Sequence, residues 1–176
     1  MPKEPSAWVR RFAGAIPPGG PVLDLAAGKG RHTRLLRALG FAVTACDRDT
    51  AALEAEFAGD PLCRIVRLDL EDGGEWRLGD GYHGIVVVNY LHRKLLPALA
   101  TALARGGVLI YETFLQGNER LGKPTNPDFL LKPGELLEIY GGALSILAFE
   151  QGIVAAPRPA AVQRLAAING PLGLLP

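Results

Sequence analysis

The chain predicts one α/β domain: a doubly wound, mostly parallel seven-stranded sheet with a C-terminal antiparallel hairpin and helices on both faces. Three observations carry this expectation. Short apolar runs alternate with amphipathic stretches along most of the 176 residues, the pattern of successive βαβ units. Ile85 to Val88 is a run of β-branched residues, suited to a parallel strand buried on both faces. Near the end, Leu144 to Val154 and Ala161 to Ile168 are two apolar runs. The segment Ala155-Ala156-Pro157-Arg158-Pro159 between them reads as the turn of a closing hairpin.

In chain order, residues 1–16 hold a short helix, with Ser6 as its N-cap and Trp8, Val9 and Phe12 on one side. Pro17-Pro18-Gly19-Gly20 ends it. Residues 21–26 form the first strand. A helix over 31–39 turns Leu35, Leu36 and Leu39 inward and stops at Gly40. Phe41 to Cys46 is the second strand, Thr50 to Phe57 a helix, and Cys63 to Leu68 the third strand. The stretch Glu71 to Gly84 is rich in glycine and acid. Ile85 to Val88 is the fourth strand, Lys94 to Ala104 a helix, and Val108 to Thr113 the fifth strand after Gly106-Gly107. Phe114 to Pro133 is a long polar connection, and loops of that length are usually functional or disordered. A helix over Gly134 to Tyr140 leads into the hairpin.

The length fits a single domain over 1–176, with a substantial core and no room for a separate substrate domain. A net charge of +1 supplies no basic field to recruit nucleic acid or an acidic membrane surface. The N-terminus lacks the continuous apolar run of a signal peptide, and no segment approaches the roughly 18 apolar residues of a membrane span. The two cysteines, Cys46 and Cys63, lie in strand contexts and read as core residues rather than a disulfide or metal pair. A reduced, cytoplasmic protein with no metal site is therefore expected.

Val22-Leu23-Asp24-Leu25-Ala26-Ala27-Gly28-Lys29-Gly30-Arg31 reads as strand, glycine-rich turn and helix start, with Asp47 closing the next strand. Such a turn lets a ligand lie against bare backbone, and an acid ending the neighbouring strand accepts hydrogen bonds from ribose hydroxyls. A nicotinamide fingerprint does not fit. Counting from Gly28 its third glycine falls on Thr33, and counting from Ala26 it falls on Arg31.

The pattern Asp24-x-Ala26-x-Gly28-x-Gly30 instead resembles the first motif of class I, Rossmann-like S-adenosylmethionine-dependent methyltransferases. The run from Gly28 to Thr33 is most similar to the small tellurite-resistance-related branch. The resemblance spans nearly the whole chain and implies S-adenosylmethionine as cofactor. It implies that Asp47, with Arg48 beside it, serves the ribose, that Asp69-Leu70 holds adenine, and that Asn89-Tyr90 borders the catalytic face. Asp24, Ala26, Gly28, Gly30, Arg31 and Asn89 complete the implied cofactor set. Ala26 departs from the family, which usually has glycine there.

A sulfonium methyl is already electrophilic, so the protein's task is to align a nucleophile and exclude water. A base is needed only for an acceptor that arrives protonated. His92 is a candidate base by residue type, or a histidine that packs at a helix start. Tyr90 lines the methyl-transfer site or is a half-buried aromatic. Glu112, ending the fifth strand, is a third candidate for the reaction. In the 114–133 loop, Phe114, Asn118, Arg120, Asn126 and Phe129 are the candidate substrate residues, against the alternative that its asparagines bond their own backbone. Arg31, Arg93, Arg120 and Lys123 form a cationic rim that suits an anionic substrate, against the alternative that three of the four are ordinary solvated surface charges. The expected activity is methyl transfer to a small molecule. RNA or protein methylation with a partner, and a non-catalytic cofactor-binding scaffold, are the alternatives.

Overall fold

A computed structural model of the chain describes residues 4–73 and 75–172. Seven strands form one sheet: β1 (Val22–Leu25), β2 (Val43–Asp47), β3 (Cys63–Arg67), β4 (Tyr82–Val88), β5 (Leu103–Phe114), β6 (Ser145–Val154) and β7 (Ala160–Ile168). Their order is β3-β2-β1-β4-β5-β7-β6. The first five run parallel, while β7 pairs antiparallel with both β5 and β6. The strand order reverses between β1 and β4, which opens a crevice beyond their carboxyl ends, where such sheets bind ligands.

The helices are α1 (Ala7–Phe12), α2 (Arg31–Ala38), α3 (Ala51–Phe57), α4 (Leu96–Ala102) and α5 (Glu135–Tyr140). One face of the sheet packs Trp8 and Val9 of α1, Leu36 of α2, and Leu53 and Phe57 of α3 against Val22, Val86 and Ile110. The other face packs Leu96 and Leu99 of α4, and Leu136 and Tyr140 of α5, against Leu23, Ile85 and Leu109. Both faces of the central strands are therefore apolar, which is why β1 and β4 read as continuous hydrophobic runs. The Ser6 side chain accepts from the Trp8 and Val9 amides and starts α1 as its sequence predicts.

Three expectations are corrected. The helix before β5 ends at Ala102, and β5 takes in Gly106 and Gly107. A β-carbon at Gly107 would come within 2.6 Å of the Tyr82 carbonyl, so Gly107 serves close backbone approach inside a strand, while Gly106 has a positive φ of +80°. Leu39 does not point inward but is 51% exposed. Gly40, with φ of +88°, ends α2 one residue earlier. Finally, the 114–133 connection does not begin at Phe114. Phe114 belongs to β5, tight turns occupy Asn118–Arg120 and Pro127–Phe129, and Leu115 bridges Leu131 in parallel.

Candidate functional site

The turn after β1 places its residues for different reasons. Ala26 sits in the left-handed region with φ of +55°, a conformation that a side chain disfavours. Gly30, with φ of +74°, starts α2, and a β-carbon there would meet Phe57 and Leu53 at 2.8 and 2.9 Å. Its positive φ and the crowding by those two side chains together favour glycine there. Gly28 also has positive φ, yet a β-carbon there would meet nothing within 4 Å. It faces open space.

Asp47 ends β2 opposite this turn. Its Oδ2 accepts from the Gly28 amide at 2.7 Å, and its Oδ1 accepts from the Asp49 amide at 3.0 Å. Each oxygen retains a lone pair for a further donor. Asn89, at the end of β4, shares the left-handed conformation of Ala26, with φ of +59°. Its amide donates to the Glu112 carbonyl at 2.9 Å.

Two cavities meet at Ala26 and Asn89, which line both. The smaller, of about 390 Å³, is bounded by Asp47, Arg48, Leu68, Asp69, Leu70, Glu71, Tyr90 and Phe129. It gathers the carboxyl ends of β2, β3 and β4 and carries three carboxylates against one guanidinium. The larger, of about 690 Å³, lies over the turn and includes Ala27, Gly28, Lys29, Arg31, His32, Arg34, Glu56 and Val88. Its charge is reversed: Lys29 and Arg31 add to an Arg34–Glu56 ion pair.

The Tyr90 hydroxyl is buried and has no hydrogen-bond partner among the described residues. Burial, and then the Glu71 and Asp69 carboxylates, hold its pKa well above that of an ordinary tyrosine. Glu71 stands near it without forming a hydrogen bond of normal geometry. A protonated, unpartnered hydroxyl at a cavity wall is ready to bond a ligand.

No protein-family model matches the chain, and neither does any curated protein. Solved structures do match. TehB from Haemophilus influenzae superimposes with a TM-score of 0.71 at 18% identity, over 92% of this chain and 61% of that one, so the chain spans under two thirds of TehB. A TehB-like SAM-dependent methyltransferase from Corynebacterium glutamicum gives 0.65 at 18% identity, covering 92% and 86% of the two chains. The glycopeptide N-methyltransferase MtfA complexed with S-adenosylhomocysteine gives 0.64 at 21% identity, covering 92% and 88%. The fold is that of the class I methyltransferases.

Within this methyltransferase fold, Ala26, Asp47, Arg48, Asp69, Leu70, Asn89 and Tyr90 come together at the smaller cavity. Gly28 and Arg31 line the larger one. Asp24 lies elsewhere. It is 1% exposed and accepts from the Thr33 hydroxyl at 2.6 Å, tying β1 to α2. Burial raises its pKa to about 6. Glu112 also turns away, into an ion pair with Arg164 on β7 at 2.6 Å. Its place opposite Arg164 in the β5–β7 register dictates this. His92 is half-buried and borders neither cavity.

Of the loop residues, Phe129 alone reaches a cavity. Phe114 packs with Leu130, Ala160 and Val162. Asn118 donates to the Gly122 and Pro124 carbonyls and accepts from the Ala161 amide. Asn126 accepts from the Asp128 amide and caps the next turn. These asparagines bond backbone. Arg120 is exposed and lines neither cavity. Arg93 is engaged by Glu135 and so does not join a free cationic rim. Lys29, Leu68 and Glu71 escaped the sequence reading, although Glu71 follows Asp69-Leu70 in the same loop.

His32 is 4% exposed, and its Nε2 accepts from the Ser6 amide at 3.2 Å. Burial, with Arg31 beside it, lowers its pKa to about 3, so the ring is neutral. Among the described residues no helix is long and apolar enough to cross a membrane.

Proposed function

We propose that the chain is an S-adenosylmethionine-dependent methyltransferase acting on a small molecule. One observation carries the reading. Asp47, Asp69-Leu70 and Asn89-Tyr90, from three neighbouring strand ends, bound a single cavity beside the glycine turn. The site fits the cofactor. Asp47 has acceptor capacity for ribose hydroxyls, Asp69 and Glu71 present acceptors for an amino group, and the buried Tyr90 hydroxyl lacks a partner. Leu68 and Leu70 give the nucleobase an apolar wall. MtfA, which shares the fold, is described in complexes with S-adenosylmethionine and S-adenosylhomocysteine.

When bound, the cofactor supplies an electrophilic methyl group. The chain's own residues then orient and desolvate. Tyr90, held protonated by burial and neighbouring carboxylates, donates a hydrogen bond rather than taking a proton. The adjoining cavity of about 690 Å³ supports a small-molecule acceptor, because pockets for such ligands run from about 300 to 1,000 Å³. Lys29 and Arg31 favour an acceptor with negative charge.

The test is transfer of a tritiated methyl group from S-adenosylmethionine into a metabolite extract, total RNA and total protein. Label in the metabolite fraction is the expected result. Label confined to RNA or protein overturns the small-molecule assignment. No label in any fraction, with S-adenosylhomocysteine still bound, overturns the enzyme reading and leaves a scaffold.

A further inference from the structure

Phe129 combines an exposed aromatic ring with a tightly fixed backbone. It is 43% exposed, whereas the next two residues, Leu130 and Leu131, are 1% and 0% exposed. The backbone is fixed on both sides by one side chain. The Arg93 guanidinium donates to the Asp128 carbonyl through Nη1 and to the Leu130 carbonyl through Nη2, each at 2.8 Å, so it brackets Phe129. Glu135 accepts from the same guanidinium at 2.6 and 3.0 Å and also accepts from the Lys132 amide at 2.7 Å. Asn126 caps the turn that carries the ring.

A single exposed phenylalanine is unremarkable on a protein surface. This one lines the cavity whose other apolar members are Ala26, Leu68, Leu70 and the Tyr90 ring. An aromatic ring on a fixed backbone, sharing a cavity with aliphatic side chains, suits the flat π-surface of a purine. A loop residue on a mobile arm would lose that advantage to ordering entropy. The Arg93 bracket removes most of that loss in advance.

The geometry points to Phe129 as the stacking cover of the cofactor's nucleobase, with Arg93 and Glu135 as the positioning residues that hold it. This rests on reading the smaller cavity as the nucleoside site. It also transfers Phe129 from the acceptor, where the sequence put it, to the methyl donor.

Calorimetry with S-adenosylhomocysteine and with 5′-methylthioadenosine tests it, since both probes carry adenine and only one carries the amino-acid arm. Loss of one stacked base weakens binding by roughly 5- to 150-fold. Phe129→Ala is expected to lose affinity within that range, by the same factor for both probes, while Phe129→Tyr stays within about twofold of the wild type. Arg93→Lys keeps a charge for Glu135 but cannot reach both carbonyls. It should weaken both probes in the wild-type background and cost nothing further in the Phe129→Ala background. Unchanged affinity in Phe129→Ala, a loss for one probe alone, or additive effects of the two substitutions overturns the assignment. Failure of the wild-type chain to bind either probe contradicts the cofactor reading itself.

Discussion

The Gly28 amide donates to Asp47 Oδ2 across 2.7 Å, joining the turn after β1 to the acid that ends β2. With the Asp49 amide on Oδ1, both carboxylate oxygens are fixed before any ligand arrives. The acid therefore need not be ordered on binding, and it lines the smaller cavity with lone pairs to spare.

The same turn carries backbone strain at Ala26. An L-residue in the left-handed region costs roughly 1–2 kcal/mol, and glycine returns part of that through its looser unfolded chain. Ala26→Gly is expected to raise the melting temperature by about 1–4 °C. Ala26→Val, β-branched at the same φ, is expected to lower it. Thermal denaturation of the two variants checks the sign of each change.

Glu112 and Arg164 form a largely buried pair, with side chains 11% and 17% exposed. Removing Glu112 leaves the largely buried Arg164 charge with only its longer contact to Glu150, at 3.5 Å, and costs about 3 kcal/mol. Glu112→Ala should therefore melt about 6–12 °C lower, yet bind S-adenosylhomocysteine within about twofold of the wild type. A large affinity loss at unchanged stability would return Glu112 to the site.

Asp24 gives a pH-dependent signature. Its folded pKa of about 6 lies above its ordinary value of 3.8. The fold therefore binds a proton that the unfolded chain has already released, and this contribution is lost as pH rises through 6. Asp24→Asn mimics the protonated form. Its stability relative to the wild type should rise by about 2–3 kcal/mol between pH 4 and 7.5, measured by urea denaturation. Comparing the variants cancels His32, which acts with the opposite sign: its lowered pKa makes the fold lose stability as pH falls below 6.5. A pH-independent difference contradicts the buried, costly ionisation of Asp24.

What the sequence could and could not disclose follows from the range of each interaction. Strands β1 to β4 and the polar residues after them are written locally, in apolar runs followed by Asp47, Asp69 and Asn89. Gly106 and Gly107 read as lying ahead of the fifth strand because the Tyr82 carbonyl that crowds Gly107 belongs to another strand. Glu112 looked available because Arg164 sits far along the chain and only the antiparallel register brings it opposite. Asn118 and Asn126 were ambiguous for a chemical reason, since an amide side chain serves a ligand or its own backbone equally well. Phe129 was read as a substrate residue because its loop stands out in the sequence, whereas the cavity it lines is assembled from three other strand ends.

The most direct test is calorimetric binding of S-adenosylhomocysteine to the wild type and to Asp47→Ala. Loss of a charged acceptor from ribose should weaken binding roughly 10- to 150-fold, equivalent to about 1.5–3 kcal/mol. Wild-type affinity in a folded Asp47→Ala protein would contradict the placement of the nucleoside at the ends of β2, β3 and β4.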